Sequence, residues 1–175
     1  ARFPSMKKTH TETIKTSLKK GLVIRMDKHN PNETLLTEMY SNTKMALENI
    51  NSVLPKVKSK FMVSELTAQM ESYGNMAKRT SELMHQRSIE PKEPNVMAKT
   101  MAKFGINMNT LIDATDSHIA DMMAKGCDMG ADSLSEAYAK HGIHCDSQIT
   151  DLCNEIIDFE RKTSKNIEEK FSQKK

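Results

Sequence analysis

The densest group of metal-capable side chains in this chain is His141-x-x-His144-Cys145. Imidazole and thiolate suit zinc or another borderline metal, and a structural zinc site takes four ligands. Asp146 is the adjoining carboxylate. The group falls where a helical pattern stops, so it reads either as a metal site in a turn or as an ordinary polar turn, the commoner case. Carboxylates offer a second chemistry. A di-iron centre inside a helical bundle draws one Glu from each of two helices and a Glu-x-x-His from each of the other two. The spacing of three puts both ligands of that motif on one helix face. Here Glu65 is followed three residues later by Ala68, Glu71 by Gly74, Glu155 by Asp158 and Glu160 by Thr163. These glutamates build no such motif, and no di-iron centre is expected. An all-carboxylate site from Glu38, Glu71, Asp128 and Glu155 is the remaining alternative, set against the plainer reading of solvated surface acids. No cofactor is expected, with a bound metal ion as the alternative.

Thiols and thioethers complete the inventory. A reactive cysteine needs a nearby cation or a helix N-terminus to lower its pKa. Cys127 instead lies in mid-pattern, in the run G-C-D-M-G, and reads as a small packing residue. His118 stands in a first helical turn, where the helix dipole disfavours a cation. The 14 methionines could ligate soft metals, but most recur at core spacing and so read as filling for an aliphatic interior that has no tryptophan. The chain has no phosphate-binding glycine loop, no dinucleotide fingerprint and no serine-nucleophile elbow.

The elements that would position these residues are helices. Over 115–141, Ile119, Met122, Met123, Cys127, Gly130, Leu134, Ala137 and Tyr138 keep the three-then-four spacing of one helix face. Thr115 and Asp116 precede it as capping residues, and Gly142 follows as a terminator. Gly126 and Gly130 each weaken a helix interior by roughly 1 kcal/mol relative to alanine. Close packing against a neighbouring helix backbone is the expected compensation at both. A helix over 31–54 has the seam Leu36, Met39, Thr43, Ala46, Ile50 and Val53, and Pro55 ends it. One over 57–87 has Met62, Leu66, Met70, Tyr73, Ala77, Thr80 and Met84. Pro91 and Pro94 mark a linker. A shorter helix over 95–112 follows, and a last helix over 146–171 carries Ile149, Leu152, Ile156, Phe159, Thr163, Ile167 and Phe171.

These lengths predict an all-α fold: a ferritin-like up-down four-helix bundle with an additional crossover helix, 95–112, linking two antiparallel pairs. Residues 31–172 form the bundle domain, 1–30 a basic, weakly structured tail and 173–175 a C-terminal tail. Fusion of 95–112 with 115–141 into one rod is the competing parse. A net charge of +3 does not call for nucleic acid. Three cysteines without paired spacing suit a reducing cytoplasm, and no run is long enough for a transmembrane segment. Leu35, Leu47, Val63, Met76, Ile106, Ile112 and Ile157 lie beside the main seams. That surplus predicts a patch buried in a homodimer.

The order of helices, with the stretches L-L-T-E-M-Y-S-N-T-K-M-A-L, E-P-K-E-P-N-V-M-A-K-T-M-A-K and H-I-A-D-M-M-A-K-G-C-D-M-G, resembles bacterial ferritin-like four-helix-bundle proteins of unassigned function. It is similar to a domain of unknown function in small stress-linked bundle proteins and to a clostridial group of hypothetical proteins. The resemblance spans roughly 30–171. For function it implies little beyond a role in interaction or assembly, connected to stress or sporulation-related physiology.

Overall fold

Proline at the first position of a helix gives up an N–H that would have no partner there anyway. Pro31 opens α1 (Pro31–Val53) in this way, and a single 3₁₀ turn, Leu54–Lys56, closes it where Pro55 stops the α ladder. Three further helices follow: α2 (Lys60–His85), α3 (Asp116–His141) and α4 (Ser147–Phe171). The computed structural model describes residues 30–91 and 115–171. Among them all regular structure is helical. The expected helix over 95–112, with Ile106 and Ile112, lies outside the described residues, as does the basic N-terminal tail.

Helix ends follow local chemistry. Ser59 caps α2 by accepting the Met62 N–H at 3.4 Å, so α2 begins three residues later than the 57 expected. Thr115 caps α3 by accepting the His118 N–H at 3.2 Å. Asp116 does something else. Its carboxylate accepts the backbone N–H groups of Lys58 and Ser59 at 2.9 and 2.7 Å, which ties the start of α3 to the start of α2. The end of α2 turns back on itself: Ser88 and Ile89 donate to the carbonyls of His85 and Met84, both at 3.0 Å. Ser88 takes φ 55° there, a left-handed position that glycine usually fills. Gly142 keeps an ordinary helical φ of −57°. A Cβ at that residue would meet the Tyr138 ring at 3.1 Å, so Gly142 makes room for a ring.

Contacts at the helix ends set the directions. The N-termini of α2 and α3 share one pole through Asp116. The C-terminus of α4 is at the same pole, where Lys170 pairs with Glu65 at 3.0 Å and Phe171 meets Phe61 at 5.9 Å between ring centroids. At the opposite pole Arg87, beyond α2, pairs with Asp146 at 2.7 Å, and the Asp146 N–H donates to Asn32 in the first turn of α1. Hence α1 is antiparallel to α2, α3 is antiparallel to α4, and α2 runs parallel to α3. The chain leaves α2 at one pole and enters α3 at the other. α1 packs on both α2 and α3, and α4 packs on α3 and also touches α1 and α2.

The core between the helices is aliphatic. Leu35, Leu36, Met39, Ile50, Leu66, Met84, Ile119, Leu134, Ile149 and Ile156 are fully buried. Several residues expected to be surplus belong to it. Leu35 and Met76 are buried, and Leu47 and Ile157 pack against the core from its margin. Val63 stays exposed. Of the described residues of that expected patch, Val63 is the one left exposed.

Candidate functional site

Each helix sends at least one feature to the same point at the centre of the bundle. α4 supplies Glu160, whose side chain takes the place on the seam four residues after Ile156 and is 1% exposed. α1 supplies Asn42, whose Nδ2 donates to Glu160 Oε1 at 3.0 Å. α2 supplies Tyr73, whose hydroxyl donates to the same oxygen at 3.3 Å. α3 supplies Cys127, 3.7 Å from the Tyr73 hydroxyl. Either atom of that contact can be the donor. α3 also supplies Gly130. A Cβ there would stand 2.6 and 2.8 Å from the two carboxyl oxygens of Glu160 and 2.8 Å from Asn42 Oδ1. Glycine is thus what lets a carboxyl group lie against α3. The Phe159 ring meets the Tyr73 ring edge-on at 5.1 Å and holds it in place.

The electrostatics follow from burial. Charge on a carboxylate is costly in a dry interior. Burial raises the Glu160 pKa to about 8, against the opposing hydrogen bonds from Asn42 and Tyr73. Burial likewise pushes Cys127 up to about 12, with the Tyr73 hydrogen bond partly offsetting it, and drives Tyr73 well above its usual value. Cys153 is pushed up to about 12, again by burial. Glu160 Oε2 has no hydrogen-bond partner among the described residues. The amide oxygens of Asn49 and Gln69 share that condition, at lower cost for neutral groups.

The metal-ligand candidates singled out from sequence lie elsewhere. His141, His144 and Cys145 flank the 3₁₀ turn Gly142–His144, with His144 exposed and the Cys145 thiol donating to the His141 carbonyl at 3.3 Å. Burial and the neighbouring Asp146 raise the Cys145 pKa, which keeps it a thiol. Glu38 and Glu71 are exposed. Glu155 is clasped by Arg79 in two bonds of 2.5 and 2.7 Å, which holds its carboxyl below the usual range. Asp128 faces Arg161 at 3.7 Å. Among the described residues no three His, Cys, Asp or Glu side chains gather around a point that could take a metal ion. One Glu-x-x-His does occur in α2, Glu82-Leu83-Met84-His85, and the sequence reading passed over it. Both its ends are exposed, with Glu82 near Lys78 and His85 near Ser81, so it does not point inward.

The two glycines also part company. A Cβ at Gly126 would meet nothing within 4 Å, so no close approach explains it. Gly130 is tightly packed as expected, but against the side chains of Glu160 and Asn42 and not against helix backbone. Glu160 and Asn42 are the site residues that sequence reasoning missed. Compared with protein-family models, with curated proteins and with solved structures, the chain gives no match in any of the three.

Proposed function

We propose that this chain is a non-enzymatic helical bundle whose work is done by its surface, in interaction or assembly, while its polar centre secures the packing of four helices. The carrying observation is the state of that centre. The one place where chemistry-capable groups from all four helices converge holds them protonated and shut away from water, with Glu160 1% and Cys127 4% exposed. A nucleophile or general base must be deprotonated and reachable. A buried polar group whose partners come from three other helices fixes their register instead.

The finer architecture belongs to the same proposal. The parallel course of α2 and α3, with a connection that must join opposite poles, supports a ferritin-like arrangement in which a crossover segment links two antiparallel pairs. Three free cysteines support a reducing, cytoplasmic setting, and the sequence resemblance supports a stress-linked role. No helix of the described residues is long and apolar enough to cross a membrane. Self-association as a homodimer rests on what the core leaves outside at one pole: Phe61 at 50% and Val63 at 37% exposure.

Two measurements test this. Protein purified without a histidine tag should contain far less than one metal ion per chain by elemental analysis, and light scattering should report its association state. About two iron or manganese ions per chain would instead establish the atypical metal-binding ferritin-like alternative.

A further inference from the structure

We propose that Glu160 is held as the neutral acid at the closed centre of the bundle, with its proton on Oε2, and that this is a built-in release: the four helices loosen as the medium passes from acid to mildly alkaline, because only the opened chain gives this proton up readily. The inference does not depend on whether the bundle binds a partner.

The geometry distinguishes the two carboxyl oxygens. Oε1 receives both donors, from Asn42 and Tyr73, as a carbonyl oxygen does. Oε2 receives none. Oε2 and Asn42 Oδ1 both stand 2.8 Å from a single point above Gly130. A protonated Oε2 presents an O–H on the same side of Gly130 as that amide oxygen. An ionised Oε2 would face a second acceptor across bare backbone. Gly130 leaves the carboxyl lying flat on α3, so it cannot withdraw without parting from α1 and α2.

One neighbouring cation favours the anion, Arg161, and it does less than the two hydrogen bonds and far less than burial does against it. α1 presents the uncharged amide of Asn42. α2 presents Tyr73, and α3 presents Cys127, both protonated, with Asp128 beyond. On α4 itself, Cys153 is a buried thiol, and Arg161 is turned outward onto Asp132 at 2.5 Å and Asp128 at 3.7 Å. The sign follows from proton counts. A buried acid with a pKa near 8 keeps its proton in the folded chain, while an unfolded chain releases it in the ordinary glutamate range near 4.5. The folded state therefore binds more protons between those values, and stability falls as pH rises through that window. Above the folded value nothing further is lost from this group.

The test compares wild type with Glu160→Gln, an uncharged near-isostere, by urea unfolding at pH 6 and pH 9. The wild-type folding equilibrium constant, taken relative to that of the variant, should drop about 100-fold over this interval, at up to tenfold per pH unit. A ratio that stays constant overturns the proposal. A measurement on wild type alone stands if the variant does not fold. In protein labelled with ¹³C at glutamate side-chain carboxyls, one resonance should move between pH 6 and 9 while the others finish titrating in acid. Completion of every glutamate titration below about pH 6 overturns it. The release itself is read at Cys127, whose labelling by a maleimide should accelerate with pH beyond the tenfold per unit that thiol ionisation alone gives. Acceleration at or below tenfold per unit overturns the release.

Discussion

Substituting Gly130 by alanine adds one methyl group at the most crowded point of the bundle. In an open helix this change is favourable by roughly 1 kcal/mol, since alanine has the better helix propensity. At Gly130 the new carbon would stand 2.6 to 2.8 Å from three oxygen atoms of Glu160 and Asn42. An exposed glutamate would swing aside at little cost. Glu160 is 1% exposed and Asn42 8%, so neither has water to swing into. Moving the carboxyl breaks its bonds to Asn42 and Tyr73, at roughly 1–3 kcal/mol for buried polar groups left unpaired. Moving α3 instead overpacks the α3–α4 contact, at about 1–3 kcal/mol. After the propensity gain, Gly130→Ala should destabilise by up to about 2 kcal/mol, read as a lowered urea midpoint with unchanged slope. Gly126→Ala is the internal control, because its Cβ meets nothing within 4 Å and only the propensity gain remains. It should stabilise by about 0.5–1 kcal/mol. A double-mutant cycle with Glu160→Ala isolates the cause. Removing the carboxyl should abolish most of the cost of Gly130→Ala, giving a coupling above about 1 kcal/mol. If Gly130→Ala stabilises as Gly126→Ala does, or the two changes are additive, the carboxyl does not rest on the glycine as described.

Three further outcomes are expected. Ser88→Gly should stabilise by about 1 kcal/mol, because a left-handed residue at the end of α2 then carries no Cβ; urea unfolding checks it. Asp116→Ala should cost about 1–2 kcal/mol, since the carboxylate bonds two N–H groups at the start of α2; hydrogen exchange at Lys58 and Ser59 should speed up while the α2 C-terminus is unaffected. Arg79→Ala should cost no more than about 1 kcal/mol, as both partners are about half exposed. That cost should fade in acid: Glu155 has a lowered pKa, so the pair contributes above the ordinary glutamate range and is lost as pH falls through the lowered value, which unfolding curves at low pH would show.

Four of the five expected helices were readable because apolar residues repeat at helical spacing, and Leu66, Ile119, Leu134 and Ile156 are buried where that repeat puts them. The fifth lies outside the described residues. Directions were less legible, since they depend on contacts such as Asp116 with Lys58 and Ser59 across 57 and 58 positions of chain. Asp116 had been assigned a local cap, the commonest role for its position. The centre was missed for a related reason. On α4 the seam passes from Ile156 to Thr163 through either Phe159 or Glu160, and apolarity favoured Phe159. The fold buries Glu160 and leaves Phe159 half-covered beside Tyr73, because three other helices bring a donor, a second donor and a gap. Only the glycine at 130 signalled this in advance, and its spacing says that something approaches, not what. His141, His144 and Cys145 drew attention by density along the chain, but successive residues of a turn point apart, and proximity in sequence did not become convergence.

The parallel course of α1 and α4 has a consequence for anyone rewiring this chain. Pro31 and Phe171 emerge from opposite poles, separated by the length of the 25 residues of α4, about 37 Å. A circular permutant joining them needs a linker of at least about 11 extended residues laid along the outside.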